Sequence, residues 1–74
     1  MKRITYSEHA REQMEHRFIS REYVKQAIDS PISVKEGKNG RKEAIADLRG
    51  RQLKVIYGEG VKELVVITAY WLDD

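Results

Sequence analysis

The chain has no cysteine and only one proline, and neither sign of charge dominates its 74 residues. Without cysteine, no disulfide or thiolate metal site can supplement the core, a lack that fits a reducing compartment. The longest largely apolar run, residues 64–72, falls far short of the roughly 20 residues needed to cross a bilayer. Met1-Lys2-Arg3 leads into polar residues rather than the apolar segment of a secretory signal. These absences point to a single cytoplasmic domain with no membrane segment. A chain this small buries only about 60% of the surface its unfolded form exposes, so every apolar position counts.

The formal net charge of +2 is too small to announce a nucleic-acid binder, but it is unevenly placed. Residues 1–58 hold 13 Lys and Arg against 8 Asp and Glu, whereas residues 59–74 hold 1 against 4. Phosphate affinity follows local rather than total charge, so this asymmetry permits a basic surface. A charged content of 35% is equally what a heavily solvated surface requires, and on charge alone that plainer reading is preferred.

The pattern predicts an α+β fold with a short N-terminal strand, two helices, and then a mainly antiparallel meander of three to four strands, with the helices on one face. Residues 4–6 read as the first strand. Ser7 offers a hydroxyl to cap a helix over residues 8–17, with Glu8 in its first turn. On that helix Ala10, Met14 and Phe18 form the core stripe, and Glu8, Glu12 and Glu15 face water. Ser20 caps a second helix that presents Val24, Ala27 and Ile28 on one side, and Pro31 ends it. Beyond Ile32 the period changes to two, with turn signals at residues 37–40, 49–50 and 58–60.

A two-residue turn at Arg49-Gly50 makes each cross-strand pair sum to 99, so Ala44 meets Val55 and Ala46 meets Leu53. With Leu48 and Tyr57 these form one apolar face, which a one-residue slip would destroy. The opposite face holds Arg41, Glu43, Ile45, Asp47, Arg49, Gln52, Lys54 and Ile56, and two helices cover only one side of a sheet. The last strand, residues 61–71, is apolar on both faces and is therefore expected to be central. A three-residue loop with Gly60 left-handed puts Lys62, Leu64, Val66, Thr68 and Tyr70 on the open face. A two- or four-residue loop puts Val65, Ile67 and Trp71 there instead.

Ser7-Glu8-His9-Ala10 opening the first helix, Arg17-Phe18-Ile19-Ser20 joining the helices, Val24, Pro31 and the terminal Val65-Val66-Ile67-Thr68 carry a resemblance. They resemble a small prokaryotic domain family of unknown function related to the RelE, ParE and BrnT toxins. Phe18 departs from the pattern, since similar sequences usually have glycine there. The resemblance implies a toxin that binds a cognate antitoxin and, in the ribonuclease branch, cleaves messenger RNA at the ribosome without a metal or other cofactor. Such cleavage needs a base for the 2′-hydroxyl, cations for the charge developing on phosphorus and an acid for the leaving oxygen. Carried over by place on the sheet, the candidates for phosphate are Arg41, Arg49 and Lys54, with Tyr70 for stacking or proton transfer.

His9 joins them as a candidate catalytic residue, because imidazole has an ordinary pKa of about 6.5. Its place at the edge of the apolar stripe in the first turn favours structural duty by about two to one. His9, Glu12 and His16 share a face, but at i, i+3 and i+7 they lack the i, i+4 histidine pair of a zinc site, and no metal site is expected. Arg17 falls on the core side of its helix, which favours a buried stem clamped to Asp47, a helix-end carbonyl or the C-terminal acids over a phosphate contact. Ile45, Ile56, Leu64 and Val66 are the expected aliphatics of the open face, a surface that calls for a partner. That partner is an antitoxin in the toxin reading. In the alternative, the domain is a non-catalytic protein-binding module or homodimer.

Overall fold

The computed structural model describes residues 2–72, which form two helices against one face of a five-stranded sheet. In chain order the elements are β1 (Arg3–Tyr6), α1 (Glu8–His16), α2 (Arg21–Asp29), β2 (Ser33–Glu36), a short 3-10 turn (Lys38–Gly40), β3 (Arg41–Leu48), β4 (Arg51–Glu59) and β5 (Glu63–Trp71). The strand order is β1-β5-β4-β3-β2, and all neighbours are antiparallel except β1 and β5, which are parallel. The expected meander is present, and β1 adds a fifth, parallel strand to make the sheet mixed. β5 is flanked on both sides over its first half, as its two apolar faces require.

Both helices begin as the residue types dictate. Ser7 Oγ accepts the amide of Ala10 at 3.0 Å, and Ser20 Oγ accepts that of Tyr23 at 3.1 Å, each satisfying an amide that the helix itself leaves unpaired. The β3–β4 hairpin has the predicted register, with Ala44 opposite Val55 and Ala46 opposite Leu53. Its turn residues, Arg49 at φ 57° and Gly50 at φ 89°, are both left-handed, and Asp47 Oδ1 accepts the Gly50 amide at 2.8 Å. That is the geometry whose twist matches the flanking strands.

The core lies between the helices and one sheet face: Ala10, Met14, Val24 and Ala27 from above, and Ala44, Ala46, Leu53, Val55, Tyr57, Val66, Ala69 and Trp71 from below. Across the β4 end, Glu59 bridges Lys2 and Lys42 at 2.8 Å each. Hydrogen bonds from Lys2 and Lys42 hold its carboxyl down at about 2.

Two placements differ from expectation. Phe18 is 88% exposed rather than in the core stripe, and Ile19 is buried in its stead. The helix ends in a left-handed residue, Phe18 at φ 55°, and the Ile19 amide reaches back to the Met14 carbonyl at 2.8 Å. This closure turns the chain so that the residue after Phe18 meets Met14. Arg17, expected to bury its stem, is instead exposed at the helix cap, while its carbonyl is held by the Trp71 indole at 2.8 Å. The C-terminal acids considered as its partners, residues 73 and 74, lie outside the described residues.

A left-handed phenylalanine carries a backbone penalty of roughly 1 kcal/mol or more that glycine escapes. Because the ring makes little packing, Phe18→Gly is expected to raise stability by about 0.5–1 kcal/mol, read from the urea midpoint at unchanged m-value.

Candidate functional site

The second half of β5 borders the candidate site, and a bulge decides which side chains it shows. Near the loop, Gly58 opposes Val65 and Tyr57 opposes Val66, but beyond that Ile56 opposes Thr68 and Lys54 opposes Tyr70. Ile67 is therefore an extra residue in β5, and the strand changes phase across it. Leu64 and Val66 belong to the helix face, Val66 at 0% exposure, so their expected place on the open face is corrected. Thr68 and Tyr70 lie on the open face and Trp71 in the core, as the three-residue-loop alternative had them, whereas Val65 and Ile67 follow the other alternative. A Cβ placed on Gly58 would lie 3.9 Å from Ile67 Cδ1, which puts Ile67 on the open face with Val65. Gly60 is not left-handed, so the premise that set a single phase does not hold.

Ser7 pins the bulge. Its amide donates to the Val66 carbonyl at 2.9 Å, its hydroxyl donates to the Ile67 carbonyl at 3.0 Å, and the same oxygen caps α1. Strand β1 pairs only with residues 63–66, so past Ser7 the chain leaves the sheet and α1 runs alongside β5 instead. On α1, His9, Gln13 and Arg17 fall at i, i+4 and i+8 on one side. Together with Thr68, Tyr70, Trp71 and Leu72 they line a cleft of about 430 Å³.

The far wall is fixed by Trp71. Its indole donates to the Arg17 carbonyl at 2.8 Å, the Arg51 guanidinium lies 4.0 Å from its ring centre, and Tyr23 meets it edge-on at 6.0 Å. One buried ring thus joins both helices to β4 and β5. Tyr70 faces Lys54 across the ladder, and Lys54 Nζ is 2.8 Å from Glu43 Oε1. The hydrogen bond that Lys54 donates to Glu43, with a further one to Tyr70, raises the Lys54 pKa, and the same Lys54 bond lowers that of Glu43.

The expected site residues therefore divide. His9 and Tyr70 share the cleft. Lys54 is adjacent to Tyr70 but engaged with Glu43. Arg49 sits in the β3–β4 turn and lines a separate cleft with Tyr23, Gln26, Asp47 and Leu48. Arg41 is eight positions away along β3, roughly 25 Å at the rise of a strand, so Arg41 and Arg49 do not converge on one phosphate. Ile45 and Ile56 lie on the bare face, both half-buried. Gln13 and Thr68 complete the cleft unanticipated, and Arg17 joins them where a buried clamp is the preferred expectation; the i, i+4, i+8 stripe beginning at His9 is the available signal. Among the described residues, no group of three His, Asp or Glu side chains is placed to hold a metal ion, and no helix is long and apolar enough to cross a membrane.

By its architecture this is a small α+β domain with a polar cleft between its first helix and the unpaired end of a central strand. A family model described as "Domain of unknown function (DUF4258)" matches residues 6–71, and the chain belongs to that family. No match was found among curated proteins or among solved structures.

Ser7→Ala removes the helix cap and the hydroxyl bond to the bulge together. It is expected to lower stability by about 1–3 kcal/mol in urea unfolding. It should also free the bulge, seen as faster amide exchange at Ala10 and in β5 around Ile67.

Proposed function

We propose that this chain is a RelE/BrnT-like toxin-family domain that cleaves RNA without a metal in the cytoplasm and is neutralised by a cognate antitoxin laid over its bare sheet face. The observation that carries this reading is that His9, Arg17 and Tyr70 line one cleft at the edge of that sheet. A proton acceptor, a cation and a second proton-transfer group around one cleft are what the reaction asks for. In this reading His9 takes the proton of the ribose 2′-hydroxyl as its oxygen attacks the adjacent phosphorus. Arg17 stabilises the added negative charge on the phosphoryl oxygens. Tyr70 gives a proton to the departing 5′-oxygen, leaving a cyclic 2′,3′-phosphate and a free 5′-hydroxyl. Arg49, at the tip of the hairpin, and Arg41 and Lys54, along the sheet, would contact flanking phosphates, or the ribosome, rather than the reacting one.

One observation favours a second reading. Ile45, Ile56, Val65 and Ile67 give the bare face an apolar character, and Lys54 among them is already neutralised by Glu43. A non-catalytic protein-binding module of the same fold would present such a face.

The two readings separate on induced expression in a bacterial host, with variants brought to equal soluble levels, and on cleavage of labelled RNA by purified protein. The toxin reading predicts arrest by the wild type. It predicts relief by His9→Ala and by Tyr70→Phe, with cleavage reduced about 100-fold or more for His9→Ala, and a milder loss for Arg49→Ala. Unimpaired growth, with no cleavage by abundant folded protein, would overturn it in favour of the binding module.

A further inference from the structure

The two edges of the sheet are not alike. On one side Lys2 precedes β1 and Arg3 opens it, and beyond it α1 runs along the unpaired end of β5. On the other, β2 is an edge strand exposed at every residue, and among the described residues no strand pairs with its outer side. Proteins usually guard such an edge with charge, proline or a bulge, because its unpaired backbone groups template another strand. Here each charge of β2 lies opposite a charge of the other sign on β3, Lys35 opposite Glu43 and Glu36 opposite Lys42. Pro31 lies before the strand rather than in it. What remains on the helix side of the edge is Val34, 47% exposed, with Ile32 beside it at 61%.

The direction of the free backbone groups follows from the hairpin. The two-residue turn closes on Leu48 and Arg51, so alternate residues of β3 bond to β4 and the odd-numbered ones bond to β2. The Gly37 amide on the Arg41 carbonyl at 2.7 Å agrees with this. Ser33 and Lys35 therefore spend their backbone bonds on β3, and Val34 and Glu36 direct theirs outward.

We infer that β2 pairs antiparallel with β2 of a second copy of this chain, with Val34 facing Val34 of the partner subunit at the two-fold axis, to make a continuous ten-stranded sheet. A two-fold axis perpendicular to the sheet keeps each residue on its own face, so only registers in which paired numbers have an even sum are open. A sum of 70 opposes Lys35 to Lys35, which like charges disfavour. A sum of 68 opposes Val34 to Val34, sets Ser33 against Lys35, and brings both Ile32 side chains diagonally beside the valines. It also closes two backbone bonds at the centre. A second copy is the occupant that this self-complementarity selects. The open faces and the four helices remain on their respective sides, and the two His9 clefts lie at the far ends of the assembly.

A four-residue edge buries less than the ~1,200 Å² of a stable interface, so the dimer is concentration-dependent. Sedimentation equilibrium of the full chain is expected to show the 8.7 kDa monomer at ~10 μM and a mass approaching twice that near ~1 mM. Val34→Lys, which puts two ammonium groups together at the axis, is expected to hold the chain monomeric. Ile32→Lys weakens association, and Ile56→Lys, on the open face, leaves it unchanged. Both edge positions are exposed, so the variants keep the wild-type circular dichroism. A monomer throughout the range, a Val34→Lys variant that still dimerises, or loss of association in Ile56→Lys would each overturn the inference.

Discussion

The geometry of this domain depends on one serine. Ser7 ends β1, caps α1, and holds the carbonyls of Val66 and Ile67, so a single residue fixes where the chain leaves the sheet and where β5 changes phase. The phase change is what allows one strand to bury Val66 and Trp71 on the helix face while presenting Thr68 and Tyr70 on the other. Without the extra residue, the strand would keep the phase in which Leu64 and Val66 are buried, and Trp71 would point away from the helices. The same serine starts the helix two residues before His9, which places that imidazole beside the bulged strand. Cap, bulge and cleft are thus one construction.

Trp71 closes the other end. A 74-residue chain has little apolar volume to spare, and this ring contributes area, a hydrogen bond to the end of α1, and contacts to Tyr23 and Arg51 at once. Its bond to the Arg17 carbonyl also satisfies a helix-end acceptor that would otherwise need water. Two anchors, Ser7 at the start of α1 and Trp71 at its end, hold the helix parallel to the open end of β5. The backbone that carries His9, Gln13 and Arg17 is tied down at both ends for that reason.

Much of this was legible in the residues. Both serine caps, the hairpin register and the helix-covered face followed from local patterns whose physics is local: a hydroxyl at a helix start, two left-handed turn residues, an alternation that fails under any slip. The phase of β5 was not legible, because it depends on a contact between Ser7 and Ile67, 60 residues apart, and a bulge leaves no mark in an all-apolar strand. Phe18 was misplaced because a helical wheel assumes that the helix continues, whereas the chain there is left-handed. The glycine usual at that position in similar sequences was the sign. For the candidate cleft, His9 follows from its residue type and Tyr70 from its place on the sheet, but the same continued wheel puts Arg17 in the core. Arg41 and Arg49 were grouped by charge, though strand length keeps them apart.

The central claim is that the cleft between α1 and the end of β5 is where this protein meets RNA. The measurement that tests it most directly is a titration of isotopically labelled protein with a short single-stranded RNA, followed by nuclear magnetic resonance. The account predicts that the first and largest shifts fall on His9, Gln13, Arg17, Thr68 and Tyr70. Shifts centred instead on Ile45, Ile56 and Val65, or none at millimolar RNA, would contradict it.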